Sequence, residues 1–200
     1  MLHLKKKMKK YNIIYADPPW FYNKRNLKGK EGKRNNFAWG ATNHYQVMKT
    51  EDICNLNINN IADDNSILFL WATFPRLTDA IKVINSWGFE YITVGFVWVK
   101  TCLNGTIRMD GLGNYTMSNA EICLIGKKGK ISRKNTGVKQ IILEQKTKHS
   151  KKPDEIRERI VRLMGDLPRI ELFARQRAEG WDATGLELDG KDIRDFLNEK

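Results

Sequence analysis

Ile13-Ile14-Tyr15-Ala16-Asp17-Pro18-Pro19-Trp20 is the stretch from which the rest of the chain is best read. Its first half is a short apolar run that, with Tyr11 and Asn12, predicts a buried strand over 11–16. Its second half ends that strand with a carboxylate, two prolines and an indole. Each proline fixes its own φ, and Pro18 pushes Asp17 out of the helical region, so the turn is stiff. An ionised aspartate only accepts hydrogen bonds. The Asp17 carboxylate and the Pro18 backbone carbonyl therefore form two acceptors suited to an amino group on a flat ring, with Trp20 as a rigid face for the ring. The amine of such a ring is a poor nucleophile because its lone pair is delocalised. Preorganised acceptors that hold its hydrogens localise that pair as attack begins. The plainer reading of the same residues is a proline-rich turn capped by a core tryptophan.

Working outward, residues 22–36 lack apolar periodicity and carry six Lys or Arg against one Glu. This predicts a mobile basic loop at the lip of the turn, with Lys24, Arg25, Lys33 and Arg34 placed to hold phosphates. A second buried strand is expected over 66–72. A helix follows, carrying Leu77, Ile81 and Ile84 on one face and stopping near Gly88. Further strands are expected over 91–100 and 121–126. Pro153 is suited to opening a helix in which Ile156, Ile160, Leu163 and Met164 share a face before Gly165. Strands over 169–174 and 185–188 and a last helix around Ile193, Phe196 and Leu197 complete the chain. Strands alternating with helices predict an α/β sandwich on a mostly parallel sheet of about seven strands. Ligands of such sheets bind beyond the carboxyl ends of strands. Asp17 and Arg175 both fall at such ends and are expected to face one crevice.

The chain has 200 residues, enough for one domain with a proper core. Thirty-five Lys plus Arg against 23 Asp plus Glu leave a net charge of +12, which favours a polyanionic partner, nucleic acid first. Cys54, Cys102 and Cys123 are sparse and form no C-x-x-C, which suits a reducing cytoplasm and argues against a metal site. No apolar stretch is long enough to cross a bilayer. The lysines within residues 1–10 read as a solvated basic tail.

With these residues in view, the chain resembles the MTA-type adenine methyltransferases, which methylate the exocyclic amine of adenine. The family includes the catalytic subunit of eukaryotic mRNA adenosine methyltransferase and small bacterial and phage DNA enzymes. The resemblance rests on Asp17-Pro18-Pro19-Trp20, His44-Tyr45 with Met48, Trp71-Ala72-Thr73, Trp87-Gly88-Phe89, Phe96-Val97-Trp98-Val99-Lys100, His149-Ser150-Lys151-Lys152-Pro153, Glu171-Leu172-Phe173-Ala174-Arg175 and Gly180-Trp181-Asp182, in that order.

The resemblance implies a Rossmann-like methyltransferase fold in permuted order, with the catalytic strand first and the cofactor-binding strands last. S-adenosylmethionine is the implied cofactor, without a metal. Asp17, Pro18, Pro19 and Trp20 are the implied catalytic residues. Asp17, Lys152, Glu171, Phe173, Arg175, Arg177 and Glu187 are the implied cofactor contacts, with Lys152 meeting the cofactor's carboxylate or the substrate. Trp20, Tyr22, the basic loop, His44 and Tyr45 are the expected substrate contacts. His44 and His149 are read as structural or positioning residues, because the amine proton becomes acidic only after alkylation. Three positions depart from the family pattern: Leu186 replaces a polar residue, Arg177-Ala178 replaces a more polar pair, and Met117 stands where an arginine is expected. The implied activity is methylation of adenine in DNA. The same reaction on RNA, or a silent nucleic-acid-binding subunit, are the alternatives.

Overall fold

A computed structural model describes residues 8–22, 47–108, 115–145 and 151–198. Lys24, Arg25, Lys33, Arg34, His44, Tyr45 and His149, and with them most of the expected basic loop, lie outside the described residues.

Among the described residues, seven strands form one sheet in the order β5-β3-β4-β2-β1-β6-β7. They are β1 (Tyr11–Ala16), β2 (Ala62–Ala72), β3 (Glu90–Thr101), β4 (Ala120–Lys128), β5 (Ile141–Gln145), β6 (Arg169–Leu172) and β7 (Asp182–Thr184). β1 pairs in parallel with β2 and with β6, β6 with β7, and β3 with β5. β4 runs antiparallel to both β2 and β3, so the sheet is mixed. Five helices accompany the sheet among the described residues: α1 (Thr50–Cys54), α2 (Leu77–Ser86), α3 (Glu155–Met164), α4 (Leu186–Asp189) and α5 (Ile193–Asn198).

Alternation along the strands builds two apolar layers. Ile14, Ala16, Leu68, Leu70, Ile122 and Leu124 point to one face and pack with Ile53 of α1, Ala80, Val83 and Ile84 of α2, and Leu197 of α5. Ile13, Tyr15, Phe69, Trp71 and Cys123 point to the other and pack with Ile156, Ile160 and Met164 of α3. A period of two on the strands meets a period of 3.6 on the helices, and the result is a three-layer sandwich. Leu163, expected on the buried face of α3, lies only partly under this layer.

Several expected boundaries move: β2 begins at Ala62 rather than at 66, and β3 (Glu90–Thr101) and β4 (Ala120–Lys128) are longer than expected. The strand expected over 169–174 stops at Leu172, because Phe173 turns to φ 60°, outside the strand region. The strand expected over 185–188 is instead residues 182–184, and α4 follows. Glycine is required where α4 begins: a Cβ at Gly185 would sit 2.2 Å from the Ala174 carbonyl oxygen. The basic tail is also less free than expected, since Lys9 pairs with Asp182 at 2.6 Å and Lys10 donates to the Asn59 carbonyl at 2.7 Å.

Candidate active site

Because β4 is antiparallel, its amino end lies at the same edge of the sheet as the carboxyl ends of β1, β2, β3, β6 and β7. That shared edge gathers residues far apart in sequence. Asp17 directly follows β1 in the middle of the sheet. Lys152, just ahead of α3, reaches it with Nζ 2.6 Å from Asp17 Oδ2, and lies 3.2 Å from Glu121 Oε2 at the start of β4. Lys100, near the end of β3, closes the group with Nζ 2.6 Å from Glu121 Oε1. The Lys152 ammonium also sits 5.5 Å from the centre of the Trp71 ring. Two acids and two bases thus form a chain of charges with no net charge, and Lys152 is 10% exposed within it.

Burial and charge pull these groups in different directions. Burial raises the Asp17 carboxyl above the ordinary carboxylate range, and Lys152 reverses this only in part. Burial also opposes the Glu121 carboxylate, but Lys152 and Lys100 outweigh it and hold the group at about 2. Burial disfavours the Lys152 ammonium, yet Asp17 and Glu121 keep it charged well past its ordinary value. Among the described residues, Asp17 uses Oδ2 for Lys152 and makes no hydrogen bond through Oδ1.

The rest of the Asp17 turn is as stiff as its prolines require. The Trp20 backbone N–H donates to the Pro18 carbonyl at 2.9 Å, so one of that carbonyl's two lone pairs is engaged. Met48 N–H donates to the Pro19 carbonyl at 2.8 Å, and Phe21 N–H to the Met48 carbonyl at 2.9 Å. Trp20 itself corrects one expectation. It is 5% exposed, its ring belongs to the core, and its Nε1–H donates to the Trp71 carbonyl at 3.1 Å. A ring this buried has no open face for a base, so the plainer reading holds for Trp20 while Asp17 stands in the crevice. Tyr22 lies nearby, its hydroxyl 2.7 Å from Thr73 Oγ1 and its ring 4.9 Å from the Arg76 guanidinium. Burial raises the Tyr22 phenol, the Thr73 bond opposes the rise, and the charges of Glu121 and Asp17 add to it.

On the next strand, the Phe173 turn carries Arg175 towards Glu187, with Nε 3.4 Å from Oε1, and the Arg175 charge reaches Asp17. Arg175 and Glu187 are both part-exposed at the mouth. Asp154 ties the Lys152 segment to this turn by accepting from Gln176 at 2.9 Å and from Lys151 at 2.5 Å. Glu171, expected at the cofactor, is instead occupied: both its oxygens bind Arg157, at 2.7 and 3.0 Å, and it is 8% exposed. Its side chain serves the packing of α3 on β6. Arg177 is exposed and outside the crevice network. Glu121 and Lys100 are the site residues that sequence reasoning missed. Their one signal is a lone charge at the end of an otherwise apolar strand.

Turns of this kind on adjacent parallel strands, beside a carboxylate at the end of the interior strand β1, define an α/β enzyme of the Rossmann-like class. The chain belongs to the MT-A70 family, whose profile matches residues 11–187, and is a methyltransferase. It is similar to the type II methyltransferase M.MunI of a Mycoplasma species, with 40% identity over 195 residues, 92% of this chain and 81% of that one. It is also similar to the human N(6)-adenosine-methyltransferase catalytic subunit METTL3, 30% identical over 190 residues. An Arabidopsis thaliana MT-A70-like N(6)-adenosine-methyltransferase is 26% identical over 183 residues. The match covers 93% of this chain but 30% of the human protein, and 90% of this chain but 24% of the plant one.

Proposed function

We propose that this chain transfers a methyl group from S-adenosylmethionine to the exocyclic amine of adenine in DNA. The observation that carries the reading is Asp17, held at the end of the interior strand β1 by a lysine that a second carboxylate also grips, beside the Arg175–Glu187 pair. DNA is preferred because the type II methyltransferase is both more similar and closer in length than the adenosine methyltransferases.

The residues present suit the cofactor. Gly185 lets the turns after β6 and β7 lie against each other, which brings Arg175 and Glu187 together as a donor and an acceptor for carboxylate and ribose hydroxyls. When bound, S-adenosylmethionine supplies an electrophilic methyl group for in-line displacement. Asp17 accepts one amine hydrogen through its open oxygen, and the second lone pair of the Pro18 carbonyl accepts the other. Lys152 fixes the rotamer of Asp17, so the acceptors need no reorganisation as the nitrogen becomes tetrahedral. Once alkylated, the amine sheds a proton, and Asp17 is the nearest base in position to take it.

Asp17→Ala is expected to lower methyl incorporation into DNA by at least about 100-fold while the circular dichroism spectrum is retained. Substantial residual activity would show that the amine acceptor lies elsewhere. The similarity to adenosine methyltransferases supports a second reading, the same reaction on RNA. Matched DNA and RNA oligonucleotides separate the two, and transfer to RNA alone decides for the second. A silent subunit is tested by titration calorimetry with S-adenosylmethionine, where absence of binding favours it.

A further inference from the structure

Six of the nine large apolar side chains exposed among the described residues lie in segments that leave or enter the site edge: Phe74, Leu103, Ile107, Tyr115, Met117 and Leu186. Leu103 stands apart because an ordered device presents it. Beyond Lys100, β3 runs on into a tight hairpin closed by Arg108 N–H to the Lys100 carbonyl at 2.9 Å and Cys102 N–H to the Thr106 carbonyl at 2.8 Å. Gly105, at φ +79°, takes the left-handed position of its three-residue loop, and Gly105 N–H donates to the Cys102 carbonyl at 3.0 Å. Asn104 Oδ1 braces the loop by accepting from the backbone N–H and the hydroxyl of Thr106. The first residue of that loop is Leu103, 89% exposed. Nothing in the hairpin calls for a leucine there, since the turn is held by its backbone, Asn104 and Gly105.

We propose that Leu103 is the wedge that enters the base stack as the target nucleotide turns out of the duplex, an inference that rests on the adenine-methylation reading above. An adenine amine stacked inside a duplex cannot reach Asp17, which is part-buried at the end of β1, so the nucleotide has to leave the stack. Proteins that open base steps frequently do so with an apolar side chain, leucine among them, inserted between the bases. The hairpin has the right root and reach. It springs from Lys100, whose ammonium is bound to Glu121 in the crevice network. Three residues from Lys100 to the tip span at most about 10 Å, on the scale of the DNA major groove, about 12 Å wide. The braced loop holds Leu103 out from the crevice as a fixed point while the base occupies the site.

The test uses the full chain and short duplexes carrying the sequence that modified-base sequencing identifies in DNA from cells expressing it. In one duplex the target adenine is paired, and in the other it faces an abasic site and is already poorly held. Leu103→Ala is expected to lower kcat/KM at least about 10-fold on the paired duplex and to stay within about two-fold of wild type on the abasic one. Leu103→Met, which keeps an apolar wedge, should recover most of the loss. In parallel, 2-aminopurine at the target position should brighten on binding wild type and brighten less with Leu103→Ala. Equal losses on both duplexes, or no loss on the paired one, overturn the wedge. A wild-type chain that methylates neither duplex, and leaves no methyladenine in cellular DNA, overturns the adenine reading itself, a result distinct from either of those.

Discussion

Lys152 is the residue on which the crevice turns. Two carboxylates gathered on one ammonium would repel and favour protonation if left alone; Lys152 between them favours both anions, Lys100 joins it at Glu121, and burial still leaves Asp17 above its ordinary range. The consequence for Glu121 has a definite sign. Its folded value of about 2 lies below its ordinary 4.5, so the unfolded chain binds that proton more readily than the folded one. The stabilisation is therefore present above 4.5 and drains away as pH falls towards about 2. Glu121→Gln removes the titration and is expected to flatten the fall in urea midpoint between about pH 5 and about pH 3 relative to wild type. At neutral pH the same variant should cost on the order of 3 kcal/mol, because it strips two part-buried lysines of a counter-charge. A variant whose midpoint falls as steeply as wild type would remove Glu121 from the acid response. Asp17 was legible in the sequence because two prolines and an aromatic flag it. Glu121 was not: one charge heading an apolar strand does not declare a partner that follows a different strand. Trp20 was misread for a related reason, since an indole at a turn fits an open site and a core equally well until its neighbours are known.

At the scale of elements, the turns after β6 and β7 form a single unit. Phe173 at φ 60° ends β6, Ala174 N–H donates to the Thr184 carbonyl at 2.9 Å, and Gly185 is pressed against the Ala174 backbone. A non-glycine residue held in the left-handed region costs free energy that only surrounding structure can offset. Here that structure is the close approach at Gly185. Gly185→Ala would put a methyl 2.2 Å from the Ala174 carbonyl oxygen, a distance only backbone movement can relieve. The expected outcome is a loss of about 1–3 kcal/mol in urea unfolding, together with weaker S-adenosylmethionine binding by calorimetry as Arg175 and Glu187 are pushed apart. Unchanged cofactor affinity in a folded variant would separate the turn from the cofactor. The apolar runs of β1, β2 and β4 were legible because both of their faces meet the core, and that of β3 because Phe96 and Trp98 are buried in a β-branched and aromatic run. β5 was not, because it is an edge strand of five residues whose Ile141 and Leu143 remain exposed. The strand at 182–184 was displaced in the reading because Gly185-Leu186-Glu187-Leu188 looks more strand-like than Asp182-Ala183-Thr184. The backbone decides between them: Asp182–Thr184 pair with β6, whereas Gly185 is the N-cap of α4.

At the scale of the whole molecule, chain order and spatial order differ, and that difference makes the site. The first strand occupies the middle of the sheet between β2 and β6, so a residue near the amino terminus is surrounded by partners from the middle and last thirds of the chain. Alternating elements made the α/β class legible, whereas the antiparallel β4 was not, because periodicity carries no direction. The charge of the molecule is separated in a similar way. Asp17, Glu121, Lys100 and Lys152 sum to zero, so the excess of +12 resides outside the crevice network. Attraction for a polyanion and the chemistry at Asp17 should therefore be separable. Affinity for a labelled duplex lacking the target sequence, followed by fluorescence anisotropy, is expected to fall by about 1,000-fold or more between about 50 and about 200 mM salt, the response of a protein neutralising roughly six to ten phosphates. S-adenosylmethionine affinity over the same range should change far less, because the cofactor releases no comparable counterion atmosphere. Asp17→Ala should follow the wild-type slope while losing transfer. A shallow slope in wild type would mean that the basic excess does not grip phosphate, and a slope altered in Asp17→Ala would mean that the crevice and the gripping surface are one.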